Sequence, residues 1–365
     1  MTAWPSGGPG NSVETFLQDD RDMAAESFLQ EMVEMERFSG VAMIKIAGSV
    51  IHKGAYGPAS EHQENRIDGR FHVGSVAKQF TAAAIVQLAE KGTLDLAGSI
   101  NEFLPASYRT EIWDAVTVEE LLSHSSGIPD YAVRRDYYEV VDGWALGSTI
   151  DGMIREAMAR PLDFAPGTEF RYSNIGYTLL GVIIEAQTGS RYADYIAQEL
   201  LGPLGMAHSQ VHDERYVPMP NDAMGLRWDE ELGRHVRDDV VSLPVTPADG
   251  GLVTTLDDFA RWATVYRDMA HPKLSSASLE RMLAPSAPTD SYRWPERNMR
   301  GTGFYGLGLM RSGDLVMHEG SIVGFRSFFI YSRSDDLLIT LFSNNTRNDV
   351  FRIASGLFAL HDKSR

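Results

Sequence analysis

Residues 71–80 read FHVGSVAKQF, and the reading of this stretch decides the rest. A glycine-punctuated segment passes here into an apolar, alanine-rich run, and a lysine follows a serine by three positions. Three residues are slightly less than one helical turn, so Ser75 and Lys78 project from the same face. A serine hydroxyl is a weak nucleophile until a nearby base takes its proton. A lysine amine is that base only where burial or neighbouring charge lowers its pKa. Alone, the pair is either an activated nucleophile or two ordinary residues at a helix start. About one Ser-x-x-Lys match is expected by chance in a chain this long.

The flanks give the architecture. Upstream, FSGVAMIKIAGSVIHKGAYG (38–57) places two β-rich runs around Ala47-Gly48-Ser49, an antiparallel hairpin. Downstream, residues 75–91 keep helical spacing through Ala77, Phe80, Ala84 and Leu88 and stop at Gly92. TVEELLSHSSG (117–127) is a shorter helix, Asn174 to Thr188 an apolar, buried one, and 191–201 another. TTLDDFARWATVYRDM opens on a weak capping pattern, Thr255 with Asp258, and continues as helix. DLVMHEG, GFRSFFIYSR and LLITLFSNN then read as strands, and 347–361 as a closing helix. Strands at both ends of the chain enclose a helical middle. The expected fold is α+β: one antiparallel sheet built from N- and C-terminal strands, flanked by helices, with an all-helical subdomain. The boundaries read as a flexible lead-in over 1–12 and a single catalytic domain over 13–365. Within it the α/β part takes 13–75 and 250–365 and the helical subdomain 76–249. Segments 208–250 and 284–303 read as long loops that shape a site.

Composition narrows the function. The chain has 365 residues, 43% of them hydrophobic, and a net charge of −17. With no cluster of Lys and Arg, nucleic acid is excluded as a partner. The absence of cysteine excludes a thiolate nucleophile, disulfides and thiolate metal sites. The start, MTAWPSGGPGNSVETF, has neither a basic leader nor an apolar h-region. The longest apolar stretch is far short of the roughly 20 residues of a membrane span. The expectation is a soluble, cytoplasmic protein.

Two further stretches join Ser75 and Lys78. In APGTEFRYSNIGYTLLG (165–181) a Pro-Gly turn leads to Tyr172-Ser173-Asn174 just before the buried helix. A phenol there can relay protons, and an asparagine can fix an amine and a substrate amide. Ser173 or Asn174 is equally readable as an N-cap. In MHEGSIVGFRSF (317–328), His318-Glu319-Gly320 falls on a strand, where Gly320 admits close backbone approach. The Ser321 N–H that follows can point at a developing oxyanion. Taken alone, His318 is an ordinary satisfied histidine.

Ser-x-x-Lys, then Tyr-x-Asn, then His-x-Gly, in this order over residues 38–345, resembles the serine beta-lactamase and penicillin-binding-protein superfamily. The likeness is to its branch of class C beta-lactamases, D,D-peptidases and family VIII esterases. LLSHSSGIPDY (121–131), ADGGLVTTLDDFARW (248–262) and YGLGL (305–309) belong to the same resemblance. It implies a site in the cleft between sheet and helical lobe. Ser75 attacks an acyl carbonyl, Lys78 and Tyr172 manage its proton, and Asn174 steadies Lys78 and the substrate. The backbone N–H groups of Ser75 and Ser321 form the oxyanion hole. Which of Lys78 and Tyr172 is the formal base stays open, since coupled groups titrate as a unit.

This chain departs from the beta-lactamases at the third motif. They carry lysine where His318 stands, a residue mostly neutral at pH 7. Glu319 replaces a small hydroxyl side chain; paired with His318 it would raise that pKa, and it repels a substrate carboxylate. Both changes favour a neutral or cationic small-molecule ester or amide. Arg326 offers an anion contact or is a solvated edge residue; Tyr131 and Trp294 are pocket walls or surface aromatics. His124 reads as structural support. No cofactor is implied, Gly-x-Ser-x-Gly is missing, and His208 and His212 have no evident third metal ligand. The expected activity is a serine hydrolase of esterase or peptidase type with a Ser75 acyl-enzyme. A transacylase and a non-turnover acyl-binding sensor are the alternatives.

Overall fold

Ala47 and Gly48 both hold positive φ, +49° and +78°, the geometry that lets a two-residue turn follow strand twist. They join β1 (Gly40–Ile46) to β2 (Ser49–Tyr56) as the expected hairpin. This computed structural model describes residues 10–60, 63–131, 149–238, 247–287, 300 and 303–361, with side chains from residue 19 onward.

Five late strands complete the sheet: β3 (Gly303–Tyr305), β4 (Met310–Ser312), β5 (Leu315–Ile322), β6 (Phe325–Ser332) and β7 (Leu337–Ser343). The order is β3-β4-β5-β6-β7-β1-β2, antiparallel throughout. The chain's two ends therefore meet at the β7–β1 pair, where Gly40 faces Ser343 and Ile46 faces Leu337.

Strand alternation splits the core in two. Ala42, Ile44, Phe328, Ile330, Ile339 and Leu341 point to one face, covered by α1 (Gly10–Glu34) and a closing helix, Val350–His361. Val41, Met43, Phe329, Leu338 and Phe342 point to the other, where α2 (Lys78–Glu90) and the helices that follow it pack. Both faces are buried, which explains why these strands read as nearly continuous apolar runs.

The helical middle contains α3 (Val118–Leu122), α4 (Ile150–Met158), α5 (Asn174–Thr188) and α6 (Tyr192–Ile196). Helix α5 is its axis and packs on α2, α3 and α4. Its Ile175, Leu179, Leu180, Ile183 and Ile184 are fully buried, each worth about 1.5–3 kcal/mol of transfer free energy. Ser173 accepts from Gly176 N at the start, and Gly189 at φ +68° ends the helix. Thr255 likewise caps α7 (Leu256–Asp268) through Asp258 N, and α8 (Ser276–Leu283) follows. The closing helix is α9.

Two features differ from the sequence reading. Helix α1 begins at Gly10, inside the segment read as a flexible lead-in; residues 1–9 lie outside the described residues. It docks through Ala25 and Leu29, one turn apart and fully buried. The segment read as a long loop over 208–250 carries a hairpin, Leu226–Asp229 with Arg234–Arg237, tied to the sheet at Asn345. Most of 284–303 lies outside the described residues. Among the described residues no helix is long and apolar enough to cross a membrane.

Candidate active site

A short strand, Phe71–His72, pairs with Leu252–Thr254, and Val73 N donates to Leu252 O at 3.1 Å. Gly74 then turns left-handed, φ +50°, and a Cβ there would lie 2.9 Å from Ser321 N. The chain thus folds tightly over β5, and Ser75 sits in the 3-10 turn Gly74–Ala77 that feeds α2. Lys78, the first residue of α2, is completely buried. Its Nζ donates to Ser75 Oγ at 3.1 Å, Asn174 Oδ1 at 2.8 Å and the Asp249 carbonyl at 2.7 Å. Burial lowers its pKa to about 8, against the opposing pull of Asp249 and Asp130.

The second stretch arrives from the Pro166-Gly167 turn, anchored by Gly167 N on Ser125 O. Ser173 is the N-cap of α5, as one reading of the sequence had it, which leaves the Asn174 side chain available to Lys78. Asp130 orients that amide: its carboxylate accepts from Asn174 N at 3.0 Å, Ile175 N at 2.9 Å and Asn174 Nδ2 at 3.3 Å. The Tyr172 phenol acts on Ser75 electrostatically, and burial holds it well above the ordinary tyrosine range. Lys78 Nζ stands 4.9 Å from the Tyr172 ring centroid. His124 lies against the same ring, 4.2 Å between centroids, and its Nδ1 accepts from Ser173 N. It is buried support beneath Tyr172.

Strand β5 closes the site. A Cβ on Gly320 would fall 2.0 Å from Val73 O, so only glycine lets the strand lie against the serine turn. Ser327, opposite Gly320 on β6, donates to the same Val73 O at 2.6 Å and fixes the contact. His318 is buried, with Nδ1 on the Glu319 carbonyl at 2.6 Å and Nε2 on the Tyr305 phenol at 2.9 Å. A carbonyl only accepts, so Nδ1 carries the proton and Nε2 accepts from Tyr305. The pairing with the Glu319 carboxylate that would raise the His318 pKa does not form. Its partner is the main-chain carbonyl, burial dominates, and the pKa falls to about 3. The Glu319 carboxylate acts instead on Tyr172, whose ionisation it opposes.

Arg326 faces Ser321 across the β5–β6 hairpin and donates to Ser321 Oγ and, through Nε, to Thr346 O at 3.1 Å. Tyr131 is buried, its phenol donated to Asp249 Oδ2, so it lies under the site. Trp294 lies outside the described residues. His212 stacks on Tyr216, and among the described residues no three metal-ligating side chains cluster. Sequence reasoning assigned no role to Asp130, Asp249, Ser327 or Tyr305. The first two lie within LLSHSSGIPDY and ADGGLVTT, stretches noted only for family likeness.

Known proteins resemble this chain in sequence and in fold. The family model described as Beta-lactamase matches residues 25–360. Penicillin-binding protein 4* of Bacillus subtilis (strain 168) is 27% identical over 335 residues, covering 86% of this chain and 70% of that protein. The octameric penicillin-binding protein homologue from Pyrococcus abyssi superposes with a TM-score of 0.79 at 29% identity, covering 93% and 76% of the two chains. A D-stereospecific amidohydrolase from Streptomyces sp., at 24% identity and a TM-score of 0.77 over 92% and 98% of the chains, shares the fold. A match that runs nearly the length of the chain and spans every element around Ser75 places it in the beta-lactamase family.

Proposed function

We propose that the protein is a serine hydrolase that cleaves an ester or amide through an acyl-enzyme on Ser75. Lys78 carries the reading. It is a fully buried amine, hydrogen-bonded to the serine hydroxyl, with its pKa brought down toward neutrality. A lysine in that state accepts a proton near working pH, which a solvated lysine does not.

In the mechanism, Ser75 Oγ attacks the acyl carbonyl while its proton passes to the Lys78 amine. Tyr172, whose phenol stays protonated, relays a proton onward to the departing alcohol or amine. The N–H groups of Ser75 and Ser321 receive the oxyanion, held at close approach by Gly74 and Gly320. Asn174, clamped by Asp130, keeps Lys78 aimed at Ser75. Water then releases the acyl group. With neutral His318 and the Glu319 carboxylate near Tyr172, the site favours substrates without a carboxylate beside the scissile bond.

The test is turnover of p-nitrophenyl butyrate at pH 8 by the protein and by Ser75→Ala. Steady turnover lost in the variant is expected. Turnover that survives in Ser75→Ala refutes the mechanism, and one stoichiometric burst that stops points to a transacylase without its acceptor or to a sensor.

A further inference from the structure

Asp249 is a buried carboxylate that the mechanism above does not use. Its main-chain carbonyl binds Lys78 Nζ at 2.7 Å, and its Oδ2 takes the Tyr131 phenol. Its other oxygen, Oδ1, is buried and accepts no hydrogen bond among the described residues. An asparagine would keep the Tyr131 contact without the cost of a buried charge, so hydrogen bonding alone does not explain an aspartate here. Its charge does, because Lys78, the cation it acts on, is itself fully buried and hydrogen-bonded to the Asp249 main chain.

We propose that Asp249 is a positioning residue for Lys78: its carboxylate, fixed by Tyr131, holds the lysine as an ammonium and so sets the pH at which Ser75 becomes nucleophilic. The inference rests on the Ser75 and Lys78 reading above. Burial and Lys78 act in opposite senses on Asp249, and burial wins, raising its carboxyl pKa to about 6. Above that value the carboxylate stabilises the ammonium and delays its deprotonation.

Among the other groups facing the pair, Asp130 is the one that also acts on Lys78 as a carboxylate. From the 121–131 stretch come His124, kept neutral by burial, and Asp130, a second buried carboxylate whose pKa burial raises and which also pulls on Lys78, though less than Asp249 does. His318, on β5, is neutral. Tyr172 before α5, Tyr177 on it and Tyr192 on α6 all stay protonated, each raised by burial. Lys78, Asp249 and Asp130 are the groups left to act on one another, and a substitution at Asp249 separates its carboxylate from that of Asp130.

A fluorophosphonate reports this chemistry without a known substrate. Ser75 Oγ bonds to phosphorus, the P–F bond breaks with fluoride taking the electron pair, and the Oγ proton goes to the Lys78 amine. Only the free amine accepts it, so the second-order labelling rate, read by mass spectrometry from pH 5 to 10, follows Lys78 deprotonation. In the wild type the rate is expected to rise through about pH 8. In Asp249→Asn the rise is expected about one pH unit lower, so that at pH 6.5 the variant labels about tenfold faster relative to its own plateau. Superimposable profiles overturn the proposal. If Asp249→Asn does not fold, Tyr131→Phe, which removes the anchor of the Asp249 carboxylate, takes its place, and an unmoved profile there likewise overturns the proposal. No adduct on wild-type Ser75 at any pH sinks the parent reading and this inference with it; an adduct with unmoved profiles sinks only the inference.

Discussion

Replacing Gly320 by alanine tests how closely β5 must lie on the serine turn. The added Cβ would meet Val73 O at 2.0 Å and Ser327 Oγ at 2.3 Å, where ordinary contact begins near 3.4 Å. Strand and turn must therefore part by about 1.4 Å. Val73 stands two residues before Ser75, and Gly320 one before Ser321, so the gap opens between the two proposed oxyanion donors. Loss of one such donor costs about 10²–10³ in rate, and a 1 Å misplacement about 10². The expected outcome for Gly320→Ala is a fall of about 10²–10³ in kcat/KM on p-nitrophenyl butyrate. Overpacking and the broken Ser327–Val73 bond should cost about 1–3 kcal/mol in stability as well. Gly189→Ala is the control. It places alanine at positive φ, +68°, a backbone cost that Gly320→Ala does not carry, but meets nothing within 4 Å and lies at the far end of α5 from the site, so it should lose stability and keep activity. If Gly320→Ala retains more than half of the wild-type kcat/KM, the close approach is not catalytic and the oxyanion assignment fails.

Acid should unfold the protein through its histidines. Burial lowers His72 and His318 to about 3, so the unfolded chain binds protons that the native state refuses as pH falls below 6.5. Their neutral burial is fully compatible with the fold above pH 6.5, and each costs about 1.4 kcal/mol per pH unit below it, or about 2 kcal/mol at pH 5. Urea midpoints should drop steeply between pH 6.5 and 5 and less so in His318→Gln; an unchanged midpoint in the wild type contradicts the buried, neutral assignment. Asp130→Ala strips three donors of their acceptor at the start of α5. It should cost about 1–3 kcal/mol by thermal melting and lower kcat through a mobile Asn174, whereas wild-type kcat would show that Asn174 needs no anchor.

The sequence exposes what is local. The Ser75 to Lys78 spacing is a helix property, and Tyr172-Ser173-Asn174 precedes a helix whose cap and glycine stop are written in neighbouring residues. The Ala47-Gly48 turn and the apolar runs of β1 and β5 to β7 are equally direct. What stays hidden depends on contacts between distant segments. Asp130 and Asp249 look like loop carboxylates until α5 and α2 close over them, and their value comes from facing a buried lysine. His318 reads as a titrating neighbour of Glu319, but alternation along a strand turns adjacent side chains apart, and burial against Tyr305 settles its charge. Helix α1 escapes notice because its apolar face is broken by charge, with Ala25 and Leu29 fully buried among the described residues and Phe28, Met32 and Val33 only partly so.

The pairing of β7 with β1 has a consequence for synthesis. A ribosome releases β1, β2 and the Ser75 turn early, but the strand that pairs with β1 and the one that closes over Ser75 come out more than 200 residues later. Contacts of such long sequence separation form last and slowly. A growing chain thus carries the proposed nucleophile without the strand that completes the site until β5 has emerged.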